Sequence, residues 1–209
     1  MTEAASIGDL ELAALISSRI CHDVISPVGA IANGLEILDE EQDQGMREQA
    51  MALIRKSTHQ ASAKLQFARL AYGAAGSAGA EIDLRDAERV ARDFVQGGKH
   101  TLSWAGSPAT LPKDKAKLLL NLVALAVSAL PRGGTIEVSA GTGAFKVLAT
   151  GDAARLPEQT AKILAGAGGA MLDSHSIQAY YATRVAAAAG MRIEAQTNGQ
   201  EVTLAAAVV

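Results

Sequence analysis

The chain has 209 residues, of which 49% are hydrophobic, so a sizeable core can form although only 3% are aromatic. The formal net charge is −3, with both signs spread along the chain, which argues against the clustered basic surface of a nucleic-acid-binding protein. Cys21 is the single cysteine, so no internal disulfide can form, as is typical of a reducing compartment.

The sequence also argues against secretion and membrane insertion. The first residues carry acidic side chains and no basic segment, unlike a secretion signal. The longest apolar run, residues 118–130, is interrupted by Asn121 and Ser128 and is too short to cross a bilayer. We therefore expect a cytoplasmic protein whose partners include neither a membrane nor a nucleic acid.

Two long helices are predicted in the first part of the chain, residues 1–73. From about Asp9 to Glu41, apolar residues recur at steps of three, four and seven. After an acidic break, a second helical pattern runs from about Met46 to Tyr72. Two such helices form an antiparallel hairpin that cannot bury both apolar stripes alone, so we expect a homodimer with a four-helix bundle.

A small-residue linker, residues 74–80, precedes a second predicted domain, residues 81–209. Strands are expected at residues 81–84, 100–106, 135–140, 145–150, 191–197 and 201–209. Helices are expected at residues 85–96, 114–130, 156–165 and 176–189. The predicted fold class is therefore α plus α/β, a helical hairpin followed by an α/β sandwich of one sheet and one helical layer.

A histidine interrupts the apolar pattern of the first helix. His22 lies two positions from both Ile20 and Val24, which places it about 200° from each around the helix, outside the apolar stripe. A neutral imidazole is a nucleophile toward phosphorus, and the adjacent Asp23 carboxylate can hold the other ring proton. Residues on the same face, or one turn earlier, are Arg19, Ile25, Ser26 and Gly29.

Pro27 lies inside the same helical pattern, shortly after His22. Proline in a helix interior costs roughly 3 kcal/mol, because it lacks the N–H that bonds to the carbonyl four residues earlier. Here that carbonyl belongs to Asp23. Gly29 and Gly34 each add a cost of about 1 kcal/mol. A helix that keeps its periodicity despite these residues is predicted to bend close to His22.

The segment HDVISPV, residues 22–28, resembles the H-box of sensor histidine kinases, which runs His, acidic, apolar, variable, Ser/Thr/Asn, Pro, apolar. Residues 118–140 are similar to the N-box region of the kinase ATP-binding domain, with Asn121 at its first asparagine. The resemblance covers nearly the whole chain. It implies a dimeric hairpin that carries the phosphorylated histidine, followed by an ATPase-like domain.

Three features of the kinase nucleotide site are altered. The second asparagine of the N-box, a magnesium ligand, falls at Leu125, and an apolar side chain cannot hold Mg²⁺. The aspartate that recognises adenine falls at Ala149, and a glycine of the same motif falls at Ala153. Two lid glycines fall at Ser176 and Gln178. The resemblance therefore implies a degenerate ATPase-like domain that binds neither nucleotide nor metal.

This combination is similar to the ChpT-type histidine phosphotransferases of alphaproteobacteria. The resemblance implies a phosphorelay enzyme without ATP-dependent kinase activity, in which His22 is the phosphoacceptor and Asp23 supports it. It implies two kinds of partner beside the second chain: the receiver domain of a hybrid histidine kinase (CckA type), and response regulators of the CtrA and CpdR types, which govern the cell cycle. Mg²⁺ is expected on the partner's receiver domain. The candidate receiver contacts are Arg19, Ile25, Ser26 and Gly29.

Other functions follow from the same residues. The altered boxes argue against an ATP-dependent histidine kinase. A non-catalytic scaffold that binds receivers stays open, as does a phosphatase, although the phosphatase motif (an acid followed three positions later by Thr or Asn) ends here in Ser26. For Arg19, a solvated surface arginine is the default interpretation and a receiver contact is the alternative. No function is assigned to three further histidines, which show no metal-ligand spacing: His59, His100 and His175.

Overall fold

The first part of the molecule is a pair of antiparallel helices, α1 (Asp9–Glu40) and α2 (Gln44–Ala71), as the sequence predicts. They belong to a computed structural model of the chain, which describes residues 7–73, 80–96, 98–106, 108–166 and 172–209. Most of the predicted linker, residues 74–79, therefore lies outside the described residues. None of the described helices is both long and apolar enough to cross a membrane.

Polar contacts close the short turn between the two helices. Asp43 Oδ1 accepts a hydrogen bond from the backbone N–H of Met46 at 2.8 Å and thereby caps the start of α2. The Arg47 guanidinium donates to the carbonyl oxygens of Leu38 and Glu41 at the end of α1. A cation at a helix C-terminus stabilises the carbonyl dipoles that have no partner in the helix. The acidic break of the sequence is thus a tight turn.

One chain buries only part of the two apolar stripes. Gly34 is buried where the helices approach, and a Cβ there would lie 2.6 Å from Cγ1 of Ile54. By contrast, Leu35 and Leu65 are each 50% exposed, and Leu53 is exposed as well. The sequence places these three leucines on the two apolar stripes, which a single hairpin was expected to bury only in part. Each helix of an isolated pair can bury only the narrow face that meets its neighbour.

The rest of the described chain contains short strands and helices in alternation. The elements are β1 (Glu81–Asp83), α3 (Leu84–Gln96), β2 (His100–Gly106), β3 (Thr110–Pro112), α4 (Lys113–Ser128), β4 (Gly134–Ala140), β5 (Ala144–Thr150), α5 (Glu158–Leu164), α6 (Ile177–Ala188), β6 (Met191–Asn198) and β7 (Glu201–Val208). The sequence missed only β3 among them, because three residues ending in proline show no alternation. β3 pairs with β1 in a small antiparallel sheet.

The main sheet has five strands in the order β2-β4-β5-β7-β6, with β2 and β4 parallel and the other neighbours antiparallel. Alternate residues such as Ile136, Val138 and Val147 are buried, whereas Glu137 and Lys146 are exposed. This alternation is typical of a sheet that packs helices on one face and meets solvent on the other. The predicted fold class, a helical hairpin followed by an ATPase-like α/β sandwich, is confirmed. The four-helix bundle involves a second chain and stays a prediction.

Helix α4 lies at the centre of the molecule, between the sheet and the hairpin. Residues 118–126 are all buried, as expected for a helix that is apolar on every side. Asn121 Nδ2 donates a hydrogen bond to the carbonyl of Ala71, the last residue of α2, at 3.2 Å. Phe67 of α2 stacks on Phe94 of α3, with ring centroids 4.0 Å apart. The hairpin is therefore packed against the sandwich through the C-terminal end of α2.

Candidate phosphotransfer site

His22 lies midway along α1 on the surface, as its helical phase predicts, and its side chain is 56% exposed. Ile25, Ser26 and Gly29 are exposed too, and a Cβ added at Gly29 would meet nothing within 4 Å. The structure therefore brings these four residues together on one open strip of α1. We call this strip the α1 face.

An ion pair stands beside the His22 ring. Nδ1 of His22 lies 3.6 Å from Oδ1 of Asp23, and Oδ2 of Asp23 accepts a hydrogen bond from Nε of Arg19 at 2.9 Å. The Asp23 carboxylate favours a proton on the nearer ring nitrogen, which leaves the lone pair on Nε2. The arrangement can therefore present Nε2 as a nucleophile while Asp23 stabilises positive charge on the ring.

Arg19 is more enclosed than a solvated surface residue. Its side chain is only 16% exposed, and its Nη1 also donates to the carbonyl of Ser174, 3.5 Å away in the sandwich. The solvated-arginine interpretation is therefore wrong. Its predicted role as a receiver contact stays a prediction. What the structure adds is a role in fixing the Asp23 carboxylate and in joining the hairpin to the sandwich.

Pro27 is tolerated because a side chain from the neighbouring helix replaces the hydrogen bond that it removes. α1 runs through Pro27 without a break, and the Asp23 carbonyl, which has no partner at Pro27, accepts a hydrogen bond from Nζ of Lys64 at 2.7 Å. A hydrogen bond from a charged donor offsets part of the cost of proline. The predicted bend near His22 stays a prediction. Asp23, the residue that follows His22, is held at its carboxylate by Arg19 and at its carbonyl by Lys64.

A fourth contact at the site comes from far along the chain. The His175 ring stands edge-on to the His22 ring, with centroids 5.0 Å apart and an interplanar angle of 79°. The sequence assigned no function to His175, and no motif links it to His22. Only the packing of the turn at residues 172–176 against α1 brings the two rings together.

Half-buried aromatic side chains lie behind the Arg19–Asp23 pair. Tyr72, which follows the last residue of α2, stands edge-on to Tyr181 of α6 with centroids 5.4 Å apart. Burial raises the pKa of the Tyr72 phenol above its usual range, with smaller opposing effects of Arg19, which lowers it, and Asp23, which raises it. The phenol therefore stays neutral at physiological pH. Within the described residues, no group of three or more His, Cys, Asp or Glu side chains could hold a metal ion.

The positions that align with the kinase nucleotide site lie mostly inside the core. Asn121 is buried, and its amide nitrogen donates to the carbonyls of Ala71 and Lys117. Leu125 and Ala149 are buried among apolar neighbours. Ala153 keeps a left-handed backbone with φ 59°, a conformation that glycine adopts more easily. Alanine thus occupies a backbone conformation that the glycine expected from the resemblance would adopt at lower cost.

Comparison with known proteins agrees with this architecture. The family model of the histidine phosphotransferase C-terminal domain matches residues 84–201, more than half of the chain. The chain belongs to the histidine phosphotransferase family. Protein phosphotransferase ChpT of Brucella abortus (strain 2308) is 43% identical over 211 residues, which cover 99% of this chain and 100% of the relative. The family that the sequence resembles is therefore confirmed.

A solved structure extends the likeness of this phosphotransferase to three dimensions. The 1.7 Angstrom structure of a bacterial phosphotransferase is 41% identical in sequence, covers 97% of this chain and 98% of that chain, and has a TM-score of 0.89. The similarity therefore includes both the hairpin with the α1 face and the sandwich that packs against it.

Proposed function

We propose that this histidine phosphotransferase carries phosphoryl groups between receiver-domain aspartates through His22, as an intermediate of a bacterial phosphorelay that uses no ATP. The observation that carries the proposal is the exposed His22 ring, whose Nδ1 faces the Asp23 carboxylate and whose Nε2 is the remaining nucleophilic nitrogen. The H-box sequence and the family membership support the same assignment.

The reaction consists of two displacements at phosphorus. In the first, the lone pair of His22 Nε2 attacks an aspartyl phosphate, the bond from phosphorus to the aspartate oxygen breaks, and its electron pair leaves on the aspartate carboxylate. The ring then carries the phosphoryl group on Nε2, a proton on Nδ1 and a positive charge that Asp23 stabilises. In the second, a carboxylate oxygen of another receiver attacks phosphorus, and the electron pair of the broken N–P bond returns to Nε2.

This chain contributes positioning rather than charge neutralisation of the phosphoryl group. Arg19, Asp23 and Lys64 hold the ring and the backbone beside it, which lowers the entropic cost of reaching the reactive geometry. Mg²⁺, in this proposal, belongs to the receiver of the partner, where it neutralises phosphate charge when bound. The described residues of this chain offer no group of ligands for it.

Three buried positions support the absence of ATP-dependent kinase activity. Asn121 is engaged with the end of α2, Leu125 offers no oxygen ligand, and Ala149 lies in the core. The hairpin covers Asn121, so a nucleotide would have to displace packed protein to reach it. A chain with these features depends on an already phosphorylated partner.

Partners of this protein are receiver domains in the proposal. The donor is the receiver of a hybrid histidine kinase of the CckA type, and the acceptors are response regulators of the CtrA and CpdR types. Ile25, Ser26 and Gly29 are the expected contacts, because they surround His22 on the exposed α1 face, and Ile25 is 70% exposed. The lone Cys21 supports a cytoplasmic location.

The partly exposed apolar stripe of the hairpin supports a homodimer. Leu35 and Leu65 are half-exposed, and an open groove of about 390 Å³ between α1 and α2 is lined by residues that include Ile31, Ala61 and Leu65. The hairpin of a second chain would cover these apolar side chains and complete a four-helix bundle. His22 lies outside this stripe and would stay accessible.

The test follows acid-labile phosphate on the full-length protein, on His22→Ala and on the control His59→Ala, which alters another exposed histidine of the hairpin. One set of samples receives a radiolabelled phosphoreceiver of the CckA type, and the other receives radiolabelled Mg·ATP. We expect label from the receiver on wild type and His59→Ala, no label on His22→Ala, and none from ATP.

Each other outcome has a distinct meaning. Label from ATP would show that the chain is a kinase. Label that persists on His22→Ala would place the phosphoacceptor elsewhere. If no sample is labelled although the receivers bind, the protein is a non-catalytic scaffold.

A further inference from the structure

The sandwich supplies a rigid turn to the phosphotransfer site. At residues 172–176, just before α6, the Asp173 carboxylate accepts hydrogen bonds from the backbone N–H of His175 at 2.9 Å and of Ser176 at 2.7 Å. It also accepts one from the Ser176 hydroxyl at 2.7 Å. Three hydrogen bonds to one carboxylate oxygen stabilise the observed backbone conformation of the turn. The sandwich therefore fixes the backbone from which the exposed His175 side chain projects.

The same turn is attached to α1 beside His22. Arg19 joins the Ser174 carbonyl to the Asp23 carboxylate, and Asp23 faces Nδ1 of His22. His175 then packs edge-on against the His22 ring at 5.0 Å, a preferred geometry for two aromatic rings. A histidine on an isolated helix rotates over a broad range about its last side-chain bond. In this structure the His22 ring has the Asp23 carboxylate near Nδ1 and the His175 ring packed against its side.

We propose that His175 is a positioning residue for phosphoryl transfer: it holds the His22 ring with Nδ1 toward Asp23, so that Nε2 is presented to the receiver. The inference rests on the proposed role of His22 as the phosphoacceptor. It assigns a function to the degenerate ATPase-like sandwich, which completes the site on the hairpin through residues 172–176. In-line attack depends on ring orientation, and misplacement by about 1 Å can cost about 100-fold in rate.

The test compares His175→Ala, which removes the ring, with His175→Phe, which keeps a ring able to pack edge-on. The rate of label transfer from a CckA-type phosphoreceiver is measured against receiver concentration. For His175→Ala we expect kcat to fall about 10- to 100-fold with KM little changed, because orientation and not docking is lost. His175→Phe recovers most of kcat, and the control His59→Ala behaves as wild type.

A second measurement needs no phosphoryl transfer. Nitrogen-15 NMR of the His22 ring in the full-length protein reports which ring nitrogen carries the proton and how strongly the ring is averaged. We expect one dominant tautomer with the proton on Nδ1 in wild type and His175→Phe, and an averaged spectrum in His175→Ala.

The outcomes separate this inference from the proposed function. Unchanged kcat and unchanged His22 nitrogen spectra in His175→Ala would overturn the positioning role, even if the variant were less stable. A raised KM with unchanged kcat would make His175 a docking residue and would overturn it too. If His22→Ala still accepts phosphate, the phosphoacceptor assignment fails, while the nitrogen spectra continue to report on ring orientation alone.

Discussion

Beside His22, a backbone carbonyl is controlled by a proline and a lysine on different helices. Pro27 removes the donor of the Asp23 carbonyl, and Lys64 provides another at 2.7 Å. The hydrogen bond places the positive charge of Lys64 close to Asp23, the residue that follows His22. α1 continues through Pro27. Because Pro27 has no N–H, the Asp23 carbonyl is free to accept a hydrogen bond from Lys64, which links α2 to α1.

Lys64→Met is expected to lower the free energy of unfolding by about 1 to 3 kcal/mol, because the partly buried Asp23 carbonyl loses a charged donor. Urea denaturation measures the change. Lys56→Met, an exposed lysine of the same helix, is the control and should stay within about 0.5 kcal/mol of wild type. In a Pro27→Ala background, Lys64→Met should cost less, since alanine restores the backbone donor. An equal cost in both backgrounds would show that the Lys64 hydrogen bond does not compensate for the donor that Pro27 lacks.

At the scale of elements, the turn before α6 depends on one carboxylate. Hydrogen bonds from the backbone and side chain of Ser176 hold the pKa of Asp173 below its usual range, with a smaller contribution from the His175 backbone. A carboxyl group with a lowered pKa stabilises the folded state at any pH above its ordinary value of about 3.9. The stabilisation is lost as the pH falls through the lowered value. The stabilisation that Asp173 gives to the turn carrying His175 is thus fully present at neutral pH.

Asp173→Asn tests this dependence. The free energy of unfolding is measured for wild type and Asp173→Asn from about pH 7 to about pH 3, and the difference between them is followed. We expect wild type to be the more stable near neutral pH and its advantage to shrink below about pH 4, while the other carboxyl groups act equally on both proteins. In a Ser176→Ala background the pH dependence of the difference should decrease. A stability difference that does not change with pH would show that the charge of Asp173 does not stabilise the turn.

At the scale of the whole molecule, one chain holds two packing interfaces of different character. The hairpin and the sandwich meet through buried contacts such as Phe67 on Phe94 and Asn121 on the Ala71 carbonyl. The opposite side of the hairpin leaves Leu35 and Leu65 half-exposed. The first interface places the turn at residues 172–176 next to His22. The second is the surface that we assign to a second copy of the chain.

The double variant Leu35→Glu, Leu65→Glu is expected to convert a dimer into a monomer, because carboxylates would be buried without partners at the centre of the bundle. Light scattering coupled to size exclusion should show a fall from twice the chain mass to the single chain mass of 21.5 kDa. Val209→Glu, at a fully exposed site on the sandwich, is the control and should remain dimeric. A wild-type protein that is monomeric at high concentration would contradict the dimer.

Secondary structure was accessible from the sequence because it depends on local periodicity. The heptad-like steps of α1, the apolar run of α4 and the Asn198-Gly199 turn between β6 and β7 each lie within one continuous stretch. The boundaries differ by only a few residues, and β3 was too short to show a pattern. The apolar stripes were assigned correctly as helical faces, but a pattern alone does not say whether its own chain or a second one covers it.

The sequence by itself determined the two-part architecture, the exposed histidine with its neighbouring aspartate, and the family. Each of these depends on a pattern or motif within a continuous stretch of residues, where the spacing sets the helical or strand face. Only the tertiary structure decided which side chains complete the site. Lys64 of α2 donates to the Asp23 carbonyl, and the turn before α6 brings the Ser174 carbonyl to Arg19 and the His175 ring to His22. Their contacts depend on how α2 and the sandwich pack against α1, and that packing results from the summed burial of the whole core, which no single stretch of sequence contains.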